Sequence, residues 1–140
     1  MKKTDLAYAA GIFDGEGCIG IEKVNRPHRK NPEYKLRVIV VSTDRWLCEW
    51  LRFAFGGTVQ ERKSHPTHTK DQWSWVAYCS TAAEFLRLVL PYMNLKRPQA
   101  ELAIKFQSHK KQKRTKGLTE EELALEEAQK VLMHSLKRHA

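Results

Sequence analysis

The order of patterns along this chain predicts an α+β protein, αββαββα, with a four-stranded antiparallel, saddle-shaped sheet and further helices at the C-terminal end. Three observations predict it. A short apolar segment, Leu6 to Phe13, ends on glycines and acids; two pairs of β-branched runs each enclose a polar loop; and a helix start and stop signal follows each pair. At 140 residues the chain is one domain, with a core expected at about 4–107 and a helical extension at about 108–140.

The first element reads as a helix capped by Thr4 or Asp5. Gly11 in its interior costs about 1 kcal/mol relative to alanine, which points to close backbone approach. Gly11 and Gly15 stand four apart on one face, where a second helix can pack nearly backbone to backbone. Asp14 and Glu16 close the segment. Carboxylates at the negative end of the helix dipole favour a nearby cation, so both are metal candidates, solvated acids on a C-cap being the alternative.

Cys18–Val24 and Tyr34–Val41 read as a hairpin around the basic loop 25–33. In the second strand Leu36, Val38 and Val40 suit the inner face, leaving Lys35, Arg37, Ile39 and Val41 outward. Ser42, Thr43 and Asp44 then cap a helix to Phe55, stopped by Gly56 and Gly57, with Trp46 and Trp50 assigned to the helix-to-sheet core. The same grammar repeats: strands at Thr58–Lys63 and Gln72–Cys79, a helix capped by Ser80 or Thr81 through Leu90, and Pro91 as the stop. A helix from Arg97 to about Lys116 carries Pro98 in its first turn. Thr119 and Glu122 form a capping box for the last helix.

Charge narrows the partner. The chain holds 25 Lys and Arg against 16 Asp and Glu, a formal +9. The cations cluster from Lys23 to Arg37 and from Lys96 to Lys116, so a basic face meeting a polyanion is expected. No apolar run reaches the roughly 18 residues of a membrane span, and the N-terminus does not read as a signal peptide, so a soluble, intracellular protein is expected, in cytoplasm or organelle. Cys18, Cys48 and Cys79 show no C-x-x-C spacing; free thiols in a reducing compartment are expected. His65 and His68 lack companions at metal spacing.

Ala9-Ala10-Gly11-Ile12-Phe13-Asp14-Gly15-Glu16-Gly17 resembles the signature of the LAGLIDADG homing endonucleases. Leu90-Pro91-Tyr92-Met93-Asn94-Leu95-Lys96-Arg97-Pro98-Gln99-Ala100 resembles the stretch in which those enzymes carry a lysine beside the active site. The likeness spans about residues 4–107 and holds one copy of the motif, which in that family implies a homodimer, with Ala7, Ala10, Gly11 and Asp14 at the interface. It implies a site-specific double-strand DNA endonuclease that hydrolyses phosphodiesters with Mg²⁺ and leaves short 3′ overhangs on a long, pseudo-palindromic target, encoded in an intron or intein. Mn²⁺ is expected to substitute, and Ca²⁺ to support binding without cleavage. The alternative is an inactive nucleic-acid-binding protein on the same scaffold, a maturase or transcriptional regulator.

By resemblance Glu16 is the metal ligand, where the family's usual residue is aspartate, and the Gly15 carbonyl is a further oxygen ligand. Lys96 is the charge near the scissile phosphate. Ser42 stands near a position usually Gln or Asn and orders water; Arg45 is a second basic contributor. Glu22, Arg26, His28, Arg29, Lys30, Lys35, Arg37, Gln60, Arg62 and Lys63 are DNA-contact candidates from the two hairpins, since a two-stranded ribbon fits the major groove. Trp73 and Trp75 share one strand face and join that set, with core packing as the other reading.

Overall fold

In the computed structural model, residues 1–62, 71–110 and 118–138 are described. Helix α1 (Lys3–Glu16) leads directly into strand β1 (Gly17–Val24), which pairs antiparallel with β2 (Glu33–Ser42). Helix α2 (Arg45–Phe55) connects to β3 (Thr58–Arg62) and β4 (Gln72–Tyr78); α3 (Cys79–Val89), a single 3₁₀ turn at Leu90–Tyr92, α4 (Arg97–His109) and α5 (Glu120–Arg138) complete the chain. The strand order is β1-β2-β4-β3, all neighbours antiparallel, so the expected α+β layer architecture is present.

Alternation along β2 sets the two faces. Tyr34, Leu36, Val38 and Val40 are buried on the helix side, and the residues between them are half-buried on the other. The register carries this parity across the sheet: Val38 faces Ala77, Val40 faces Trp75 and Ser42 faces Trp73. Trp73 and Trp75 therefore belong to the inner face, which corrects their assignment to DNA contact. Trp75 is 0% exposed, stacks edge-on against Phe85 at 4.9 Å and donates its indole N–H to the Gly56 carbonyl at 2.7 Å. An indole needs such a partner when buried. Phe13 and Phe55 close on the same Phe85 ring, so α1, α2, α3 and β4 share one aromatic centre.

Turn chemistry explains the stops. Asp44 accepts the Trp46 N–H as the N-cap of α2. Gly56 and Gly57 both have φ near +85°, at 83° and 90°, and a Cβ on Gly57 would lie 2.6 Å from the Val76 carbonyl, so only glycine fits there. At α5 the capping box is formed, with Thr119 Oγ1 accepting from the Glu122 N–H and the Glu122 carboxylate from the Thr119 N–H.

Several boundaries differ from the sequence pattern. Helix α1 begins at Lys3 with Lys2 as its N-cap and no side-chain bond, because neither Thr4 nor Asp5 is outside the helix. Helix α3 begins at Cys79, whose φ of 52° turns the chain out of β4 before Ser80 can cap. Trp46 is 62% exposed and stacks on Trp50 rather than entering the core: α2 turns that side of its first turn outward. Of the cysteines, Cys48 is buried while Cys18 and Cys79 are half-buried; all are free thiols. No described helix is long and apolar enough to cross a membrane.

Candidate nucleic-acid interface and hydrolytic site

The two sequence stretches that carried the resemblance meet in space. Asp14, 9% exposed, accepts the Asn94 N–H on Oδ2 at 2.7 Å and the Lys96 N–H on Oδ1 at 3.1 Å. Its carboxylate thus satisfies two backbone donors just ahead of α4, whose own N-cap, Lys96, has no side-chain bond to offer. Lys96 folds back so that its ammonium donates to the Asp14 carbonyl in the last turn of α1, where a cation complements the helix dipole. Arg97 braces the 3₁₀ turn ahead of α4 through the carbonyls of Leu90, at 3.0 Å, and Met93, at 3.4 Å. These contacts hold the lysine against the acid-tipped end of α1.

Glu16 stands exposed at the junction of α1 and β1, two residues beyond the carbonyl that Lys96 binds. The expected interface residues divide. Ala7 and Gly11 lie on the exposed face of α1, and a Cβ at Gly11 or Gly15 would meet nothing within 4 Å. Ala10 and Asp14 point the other way, buried inside the protomer, because 10 and 14 fall on the face that packs against the core. Tyr8, absent from the sequence-based set, borders the open face and meets Trp50 edge-on at 5.4 Å. Tyr8 lies one position past Ala7 and so falls outside the Ala7–Gly11–Gly15 spacing of four that marked the face in the sequence.

Ser42 sits at the inner-face end of β2, its Oγ accepting the Asp44 N–H at 3.0 Å. Arg45 opens α2 on the surface, 3.9 Å from Glu49, which also binds Arg52.

The outer sheet face gathers the basic candidates. Cys18, Gly20 and Glu22 of β1 lie opposite Ile39, Arg37 and Lys35 of β2; Tyr78, Val76 and Ser74 of β4 continue the face, followed by Gln60 and Arg62 of β3. Arg37 pairs with Glu22 at 2.9 Å while its Nε has no hydrogen-bond partner. Lys35 lies over the Tyr78 ring at 4.8 Å, a cation–π contact. At the hairpin end, His28, Arg29 and Lys30 are exposed and Arg26 pairs with Glu33 at 2.8 Å. Burial pushes the Glu33 carboxyl up, but the Arg26 bond and the charges of Arg26, Arg29 and Lys110 outweigh it and hold the group low. A cavity of about 490 Å³ opens there, lined by Arg29, Lys30, Asn31, Pro32, Glu33 and Lys110. Lys63, His65 and His68 lie outside the described residues.

Helix α5 runs antiparallel beside edge strand β1. Glu127 lies by Lys23 and takes the Tyr34 hydroxyl, and ten residues on Lys137 reaches Cys18. The strand edge is thereby covered.

No family model and no curated protein matches this chain. Solved structures do. The homing endonuclease I-CvuI, in complex with an I-CreI target in the presence of Mg, superposes with a TM-score of 0.75 at 22% identity over 96% of this chain and 82% of that one. The I-LtrWI LAGLIDADG homing endonuclease bound to target DNA gives 0.69 at 19% identity, over 93% of this chain and 44% of that one. This chain has the LAGLIDADG homing endonuclease fold. I-TnaI, another homing endonuclease, agrees over 95% of this chain and 93% of that one, with a TM-score of 0.66 at 20% identity. Helix α1 carries residues 9–16 of the stretch that resembles the LAGLIDADG signature.

Proposed function

We propose that this protein is a site-specific double-strand DNA endonuclease acting as a homodimer with a divalent cation. The observation that carries the reading is the seating of Lys96 on the last turn of α1, beside exposed Glu16, at the end of a sheet whose open face bears Lys35, Arg37, Gln60 and Arg62. A carboxylate exposed at the end of a basic surface repels phosphate unless a cation lies between them, which favours the nuclease over an inactive binder on the same scaffold.

The donor set fits a hard cation only in shared form. Among the described residues no three His, Cys, Asp or Glu groups gather around one point, and Asp14 is committed to backbone N–H groups. Glu16, with the Gly15 carbonyl, supplies oxygen donors of the kind Mg²⁺ takes. The remaining positions belong to DNA phosphates and to a second copy whose α1 packs on the open Gly11–Gly15 face. When bound, such a cation polarises the scissile phosphate and lowers the pKa of attacking water. Glu16 would hold that cation, and Lys96 would offset charge building on the phosphate. Ser42, at the inner-face end of β2, and Arg45, at the surface start of α2, are three residues apart and are assigned to ordering water and phosphate. Hydrolysis of both strands across a two-fold axis implies a pseudo-palindromic target, and the family resemblance adds the expectation of short 3′ overhangs.

The base-reading set is Glu22, Arg26, His28, Arg29, Lys30, Lys35, Arg37, Gln60, Arg62 and Lys63; Glu22 and Arg37 must exchange their mutual ion pair for DNA partners. The test is binding and cutting of DNA spanning the chain's uninterrupted insertion locus by wild type, Glu16→Gln and Lys96→Met. Binding in Ca²⁺ is expected from all three and cutting in Mg²⁺ from wild type alone. Cutting that survives Glu16→Gln contradicts the assignment of the metal ligand.

A further inference from the structure

Lys137 lies in the last turn of α5, far from either resemblance motif, yet its ammonium sits on the outer sheet face. Its Nζ is 3.3 Å from Cys18 Sγ, and a Cβ placed on Gly20 would come within 3.5 Å of it. Cys18 and Gly20 share the side of β1 that faces Ile39 and Arg37, so the helix has carried this cation round the strand edge onto the open face. Gly20 is buried although it belongs to that face, and the Lys137 ammonium is the group a side chain there would meet.

The charge is poorly matched where it stands. A thiol is a weak acceptor, and among the described residues no carboxylate lies within ion-pairing distance of Lys137, whereas Lys23, Arg26, Arg37 and Lys110 all have one. Its position is central, since Cys18 is two residues from Glu16 and that length of chain reaches at most about 7 Å. We infer that Lys137 is a phosphate-binding residue, holding the backbone of duplex DNA next to the phosphate that is cut. This rests on the nucleic-acid reading above and gives α5 a function beyond covering an edge: its docking delivers the cation.

A phosphate contact by one cation releases counterions, so the slope of log affinity against log salt records it. The measurement is fluorescence polarisation of a mixed-sequence duplex of about three helical turns, in Ca²⁺, over a salt series. Because each copy of the dimer brings one Lys137 to the duplex, Lys137→Met is expected to make the slope shallower by about two and to weaken binding alike on all sequences. Lys137→Gln, which keeps a hydrogen-bonding side chain, must do the same, and Lys137→Arg must keep the wild-type slope. Wild-type slopes from both neutral variants overturn the inference. A wild type that binds no duplex at any salt overturns the nucleic-acid reading itself, which separates the two failures.

Discussion

Asp14 joins the two halves of the site at the level of single atoms. Both carboxylate oxygens take backbone N–H groups ahead of α4, and its carbonyl takes the Lys96 ammonium. Asp14→Ala leaves two partly buried donors without acceptors and is expected to lower stability by about 1–3 kcal/mol in urea denaturation, with Lys96 displaced as a consequence. Glu16 predicts the opposite pattern. It is exposed and has no partner among the described residues, so Glu16→Gln should change stability by less than about 0.5 kcal/mol while removing cutting. The Asp-Gly-Glu run by itself shows both acids alike; the family resemblance sets Glu16 apart as metal ligand and Asp14 as an interface residue, and the packing of residues 94–96 against α1 shows which groups Asp14 bonds inside the protomer. Trp75 teaches the same lesson. Its period-2 partner Trp73 places the two on one face, but which face is settled by the register with Val40, a pairing across more than thirty residues.

At the scale of elements, hydrophobic period and turn chemistry made all four strands and the helices legible, since Gly56–Gly57, Asp44 and the Thr119 capping box act locally. Boundaries set by tertiary contact were less so: α1 extends to Lys3 without a cap, and the path of α5 along β1 has no local signature. That path rests on ionisable groups. Burial first, and then the bond and charge of Glu127, push the Tyr34 phenol up to about 12, while Tyr34, Lys23 and Lys130 hold Glu127 low against burial. The signs follow. A raised Tyr34 pKa stabilises the fold below its ordinary value of 10 and that contribution is lost as pH climbs through about 12. A lowered Glu127 pKa stabilises above the ordinary carboxylate value and is lost as pH falls through the depressed one. Undocking of α5 at both extremes is expected, read by hydrogen exchange of Cys18–Lys23 amides; Tyr34→Phe should abolish the alkaline limb and leave the acid one partly in place.

For the whole molecule the open face of α1 decides the account. A helix that exposes Ala7, Gly11 and Gly15 beside Tyr8, Trp50 and Trp46 presents small residues ringed by aromatics, a surface suited to a second copy. Gly11→Leu separates folding from assembly. Nothing in the protomer blocks the new side chain and leucine favours helix by about 0.8 kcal/mol over glycine, so protomer melting should hold or rise. Dimer mass by sedimentation should be lost, and cutting with it. A dimeric Gly11→Leu protein with full activity would place the two-fold axis elsewhere. If paired Glu16 carboxylates and the cations they hold cut both strands, as proposed above, a supercoiled plasmid carrying the uninterrupted insertion locus, incubated with the wild-type protein and Mg²⁺, is converted to full-length linear DNA whose mapped ends carry short 3′ extensions at one site. Plasmid bound in Ca²⁺ yet left supercoiled in Mg²⁺ would contradict the endonuclease reading.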